Sequence, residues 1–332
     1  HSQKRTYLGA KDLFLTKFDA AGKVVWAKRH VARLKGASLA PYAAIRTTDG
    51  GVAACGYGGT WKAHVAMVMK LDASGNEQWT HVLKQGTCLA IEETDEGHLV
   101  YLSSNKKANL LVTIPNKEGL LKVVPLAIKP FDHRYQLSDV KLVKLPNGNG
   151  YVMAATTRTD MGYEKDLLLL KLTKTLDVAW KKTYDFAKFD IIPSLHLLAD
   201  NHVLLAATRR KGGSGDRVVL LKVDLGGTLK WQKTFENIEM AKIQATANGF
   251  ILAGMLGKSS GKDNDVIVIS TNETDEVQWI SRMGGPTGEY PEVIKQLKDG
   301  SILLASGRKT ASGDYPKVVL FKLDAATGKS AW

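Results

Sequence analysis

Six of the seven tryptophans stand at one position of a segment that recurs along the chain, and such a period narrows the possible folds more than any composition does. The segment reads KFDAAGKVVW at 17–26, KLDASGNEQW at 70–79, KLTKTLDVAW at 171–180, KVDLGGTLKW at 222–231 and STNETDEVQW at 270–279. A copy one residue longer, KLDAATGKSAW, occupies 322–332. A worn copy, TIPNKEGLLK at 113–122, keeps the turn but has Lys122 at the tryptophan position. Successive copies start 43 to 58 residues apart, a period that suits four strands rather than a helical hairpin. Trp26, Trp79, Trp180, Trp231, Trp279 and Trp332 are therefore read as structural, each wedging one repeat against the next without need of a ligand.

An apolar run such as DLFLTKF, LLLLKL, RVVLLKV, DVIVIS or KVVLFKL precedes the tryptophan segments. Runs that do not alternate with polar residues are strands buried on both faces. The Asp-x-x-Gly that follows supplies a side chain for backbone N–H groups and a residue tolerant of positive φ, so it marks a hairpin turn. A second hairpin lies between copies, as in RTTDGGVAACG (46–56), KLPNGNGYVMA (144–154) and QLKDGSILLAS (296–306). One period is thus strand A, turn, strand B, polar loop, strand C, turn and strand D. Stacked four-stranded antiparallel units buried on both faces make an all-β propeller, expected over 1–332 as one domain with blades of about 50 residues. Seven C–D segments against six A–B hairpins predict about seven blades, six complete and one half, and a natural chain that extends further to complete the half blade.

The ending KLDAATGKSAW resembles the tryptophan-docking motif of the quinoprotein-like propellers, a group that includes the propeller lipoprotein of outer-membrane assembly. TTDGGVAACG ahead of MVMKLDASGNEQW is similar to the secreted and cell-surface propellers of Gram-negative bacteria. The resemblance covers nearly the whole chain and implies a place outside the cytoplasm, in the periplasm, at the outer membrane or secreted, as a scaffold within an envelope complex. Its motifs specify architecture, and architecture does not give function. Quinone-dependent members hold their cofactor with a disulfide between adjacent cysteines; Cys55 and Cys88 are 33 residues apart, so no cofactor is expected.

Other chemistry finds little support. Two cysteines are too few for a disulfide framework and lack the paired spacing zinc requires; no bridge between them is expected. Eight histidines form no H-x-H or H-E-x-x-H pair, which leaves a metal site without local support. GKS at 257–259 and at 328–330 lacks the glycine of a phosphate-binding loop, and no G-x-S-x-G elbow exists. At 44% hydrophobic and 24% charged residues, and without an apolar run of bilayer length, the sequence is that of a folded protein that does not span a membrane by helices. HSQKRTYLGAKD has no apolar core of a secretory signal, so the chain is read as cytoplasmic, processed or a fragment.

Charge is the remaining signal. The net charge of +13 calls for an anionic partner or surface. In a propeller the B–C loops emerge on the face opposite the tight turns, and binding residues concentrate on such loops. They carry Lys62, Arg209, Arg210, Lys211, Arg217, Lys258, Lys262, Arg308 and Lys309, with TRRKGGSGDR at 208–217 the densest stretch. Trp61, the one tryptophan off the repeat, lies in such a loop near Tyr57. These features favour a non-enzymatic module that binds a protein or an anionic glycan or other polymer through its loop face. The alternative is a carbohydrate-active enzyme, a glycan hydrolase or lyase, with sugars stacked on Trp61 and Tyr57. Nucleic acid is disfavoured, because the loops lack interleaved aromatics.

Overall fold

The computed structural model describes residues 13–19, 21–30, 38–60, 63–83, 86–104, 109–114, 122–125, 136–158, 165–184, 191–209, 217–256, 264–285, 288–308 and 317–331. Among them every regular element is a strand, and every sheet is an antiparallel meander. The strands fall into two compact units.

The first unit holds three sheets and the turn residues 146–148 and 174–177. Its first sheet pairs β1 (Leu13–Phe18) with β2 (Val24–His30). The second is β3 (Ser38–Arg46), β4 (Val52–Thr60), β5 (Ala63–Leu71) and β6 (Glu77–Leu83). The third is β7 (Thr87–Glu93), β8 (Leu99–Ser104), β9 (Asn109–Ile114) and β10 (Lys122–Pro125). Ala53, Cys55, Ala66 and Val68 of the second sheet meet Cys88, Ile91, Leu99 and Tyr101 of the third in one core.

The second unit holds four sheets. They are β11 (Gln136–Lys144), β12 (Tyr151–Arg158), β13 (Lys165–Leu172) and β14 (Val178–Tyr184); then β15 (Ile191–Leu197), β16 (His202–Arg209), β17 (Arg217–Asp224) and β18 (Leu229–Glu236). Next come β19 (Ile238–Thr246), β20 (Gly249–Leu256), β21 (Asp265–Thr271) and β22 (Val277–Met283), and a three-stranded sheet of β23 (Glu289–Gln296), β24 (Ile302–Arg308) and β25 (Lys317–Leu323). Successive residues of one strand serve different cores, which is why the apolar runs do not alternate. Val219, Leu221 and Val223 of β17 face the sheet before, and Val218 and Leu220 face the sheet after. Likewise Phe250 and Leu252 of β20 pack one way and Ile251 and Ala253 the other.

Two expectations are corrected. Among the described residues five sheets have four strands, which gives five blades and not about seven with six complete. The segment at 322–331 looked like the start of a fourth strand, but its pairing stops at a single bridge, Leu323 to Ser330, and Trp332 lies outside the described residues. The cysteines, against expectation, form a bridge. Their separation of 33 residues along the chain hides the fact that β4 and β7 face each other across a core, with the two Cα atoms 5.6 Å apart.

Candidate functional site

Several C–D turns are organised by their first side chain. Oδ1 of Asp19, Asp72 and Asp224 accepts hydrogen bonds from the backbone N–H groups two and four residues on, at 2.8–2.9 Å. Gly22, Gly75 and Gly227 close these turns at φ of 79 to 83°, the left-handed region that favours glycine. Asn272 substitutes for the aspartate, and Asp275 holds the glycine position at φ 64°. The bonds from Thr228 and Lys230, foremost among others, lower the Asp224 carboxyl to about 2.

These turns receive the preceding sheet's tryptophan. Trp26 donates its indole N–H to the Ala73 carbonyl at 3.4 Å, Trp180 to Leu225 at 3.0 Å and Trp279 to Ala325 at 2.9 Å. Trp231 donates instead to the carboxylate of Asp275 at 2.7 Å. In four of the described C–D pairs the residue facing the tryptophan at the bulge is a lysine, Lys17, Lys70, Lys171 or Lys222. Lys70, fully buried, reaches Asp49 of its own A–B turn at 2.8 Å. Lys222 lies 3.0 Å from Asp200 and 3.3 Å from Asp275, and although burial works against its charge, the two carboxylates hold its pKa above the usual lysine value. Lys322 pairs with Asp299 at 3.0 Å.

On the opposite face, Arg217 lies 2.8 Å from Glu236 and Arg308 lies 2.7 Å from the buried Glu289. Glu289 also accepts the Gly285 N–H at 3.1 Å, and its own backbone N–H bonds to the Asn264 carbonyl at 2.8 Å. Of the basic residues read from the sequence, these two are placed, and each has an acidic neighbour. Trp61, Lys62, Arg210, Lys211, Lys258, Lys262 and Lys309 lie outside the described residues, as does the side chain of Arg209. Tyr57 is on β4, its ring 5.9 Å from that of Tyr42.

A second group of cations was not singled out from the sequence. The first strands of the second unit abut, β15 against β19 and β19 against β23. They bring together Lys141 of β11, His196 of β15, Lys242 of β19 and Lys295 of β23. Burial, then the nearby Lys242 ammonium, lowers the Lys141 pKa, with Asp139 acting the other way. Burial and Lys295 push His196 down to about 4. The signal available in sequence was one basic residue on each of these A strands, weak beside the loop lysines. Among the described residues no three His, Cys, Asp or Glu side chains gather as a metal site would need, and no helix is long and apolar enough to cross a membrane.

No family model and no curated protein matches this chain. Solved structures do. The Dos1 propeller aligns over 94% of this chain and 72% of its own at 13% identity, with a TM-score of 0.53. The fold is a β-propeller. A protein from Lactobacillus plantarum aligns over 96% of this chain and 97% of its own at 9% identity and TM-score 0.56. Sqt1 from Chaetomium thermophilum aligns over 87% and 82% at 12% identity and TM-score 0.50.

Proposed function

We propose that this chain is a non-enzymatic interaction module that holds an acidic partner, a protein surface or an anionic glycan, on the positive side chains of its first strands and B–C loops. The observation that carries this reading is the group Lys141, His196, Lys242 and Lys295. Burial and then the Lys242 ammonium lower the Lys141 pKa, burial and then Lys295 lower that of His196, and a bound anion would offset the positive charge that these lysines concentrate. The net charge of +13 favours the same class of partner. From the sequence we add Lys62, Arg209, Arg210, Lys211, Arg217, Lys258, Lys262, Arg308 and Lys309 as further contacts, and Trp61 as an aromatic one.

The resemblance to tryptophan-docking propellers of the bacterial envelope, supported by the indole bonds to neighbouring turns, gives the setting as periplasm, outer membrane or cell surface. The Cys55–Cys88 bridge favours an oxidising compartment. Heparin is a suitable probe polyanion. Replacing Lys141, Lys242 and Lys295 by glutamine, or Arg209, Arg210 and Lys211 by glutamate, should lower the salt at which the protein leaves a heparin column without lowering its melting temperature. Unchanged elution of both variants would refute the reading.

A further inference from the structure

The sheet β19–β22 breaks the pattern of lysine and aspartate at its turn face. Opposite Trp279 stands Ser270, where Lys171 and Lys222 occupy the matching place in the two preceding sheets. Asn248 replaces the aspartate that Asp49, Asp200 and Asp299 supply in other A–B turns. This turn is also one residue shorter. Four residues lie between the paired Ala245 and Phe250, against five between Leu197 and Val203 and between Gln296 and Ile302. The C–D turn of the following sheet gives the Trp279 N–H the carbonyl of Ala325, the same kind of acceptor that Trp26 and Trp180 have, and so brings no carboxylate here as Asp275 does to Trp231.

These changes remove both halves of an ion pair and leave a cavity of about 510 Å3, within the usual range of small-molecule sites. Asn248, Ser270, Gln278 and Gln296 put amide and hydroxyl groups on its wall, and Trp279 and Ile251 add apolar surface. None of the described residues that line it is charged. An amine would find no carboxylate here, an anion no cation, and a lipid would strand the amides against apolar atoms. A ligand with several hydroxyls, able both to donate and to accept, and with an apolar face, satisfies the wall.

We infer that this cavity, opened by Ser270 and Asn248 beside Trp279, binds a neutral sugar residue. The inference is independent of the acidic-partner reading, whose residues are charged and different. It is tested by saturation-transfer NMR with glucose, galactose, mannose and N-acetylglucosamine, and with glucuronate and cadaverine as charged controls. At least one neutral sugar should give a signal, with Kd on the order of 1 mM for a ligand of this size. The double variant Ser270→Lys with Asn248→Asp rebuilds the pair seen at Lys222 and should weaken binding at least about tenfold. Gln296→Ala, a smaller change at the wall, should weaken it about fivefold with an unchanged melting temperature, so the test stands even if the double variant misfolds. Silence from all four neutral sugars overturns the inference. So does binding undiminished in Gln296→Ala and in a folded double variant, or a stronger signal from glucuronate or cadaverine.

Discussion

Trp231→Phe should cost more stability than Trp180→Phe, although the two tryptophans hold the same position in adjacent blades. Both substitutions keep a ring in place and lose one donor, with a packing loss of about 1 kcal/mol in common. The Trp180 N–H serves a neutral carbonyl, that of Leu225, at 3.0 Å. The Trp231 N–H serves the Asp275 carboxylate at 2.7 Å, on a side chain only 10% exposed. A hydrogen bond to an ionised partner contributes roughly 1.5–3 kcal/mol and a neutral one roughly 0.5–1.5, so the excess for Trp231→Phe is about 1 kcal/mol. Asp275→Gly removes that acceptor and restores the residue the repeat has elsewhere, relieving the left-handed backbone at φ 64°. In that background the excess should vanish, a coupling on the order of 1 kcal/mol. Guanidinium unfolding followed by far-ultraviolet circular dichroism measures each loss from the midpoint at constant slope. Equal losses for the two phenylalanine variants, or an excess that survives in Asp275→Gly, would show that packing alone explains the repeat tryptophan.

The Cys55–Cys88 bridge closes a loop of 33 residues, for which chain entropy gives about 4 kcal/mol, and Cys88→Ser should lower the unfolding free energy, read from the guanidinium midpoint at constant slope, by that amount. Since Cys55 is 2% and Cys88 0% exposed, thiol reagents should label neither in reductant until the blades open, so labelling of the folded reduced protein would count against this placement. His196, at about 4 in the folded protein and 6.5 unfolded, binds its proton more weakly when folded. Its neutral form leaves stability undiminished above pH 6.5, and stability then falls as pH drops toward 4. His196→Gln should flatten that slope in thermal melts between pH 7 and 4.5; an unchanged slope would place the imidazole in water.

Much of the architecture was legible because it is local and repeated. The two faces of β17 could be read from RVVLLKV, since only a strand sandwiched between sheets tolerates six successive buried residues. Asp72 and Gly75 could be read as a turn because its hydrogen bonds join residues two and four apart. The blade count went astray at 322–331, where the motif is present but its pairing is a single bridge, Leu323 to Ser330. Contacts between repeats left no comparable trace. Lys141 and Lys242 are a hundred residues apart in sequence and Cys55 and Cys88 belong to different blades, so their proximity depends on how sheets stack. Ser270 showed the same limit from the other side: its departure from lysine was visible in the aligned repeats, but the departure means a cavity only because Asn248, the shortened turn and Ala325 converge on the space the lysine would fill. Sequence by itself determined the strands, their turns and the period, because hydrogen-bonded hairpins and unbroken apolar runs act over a few residues. Tertiary structure decided which charges meet, which cysteines join and which blade junction stays open, because those depend on side chains that only stacking brings within a few ångströms.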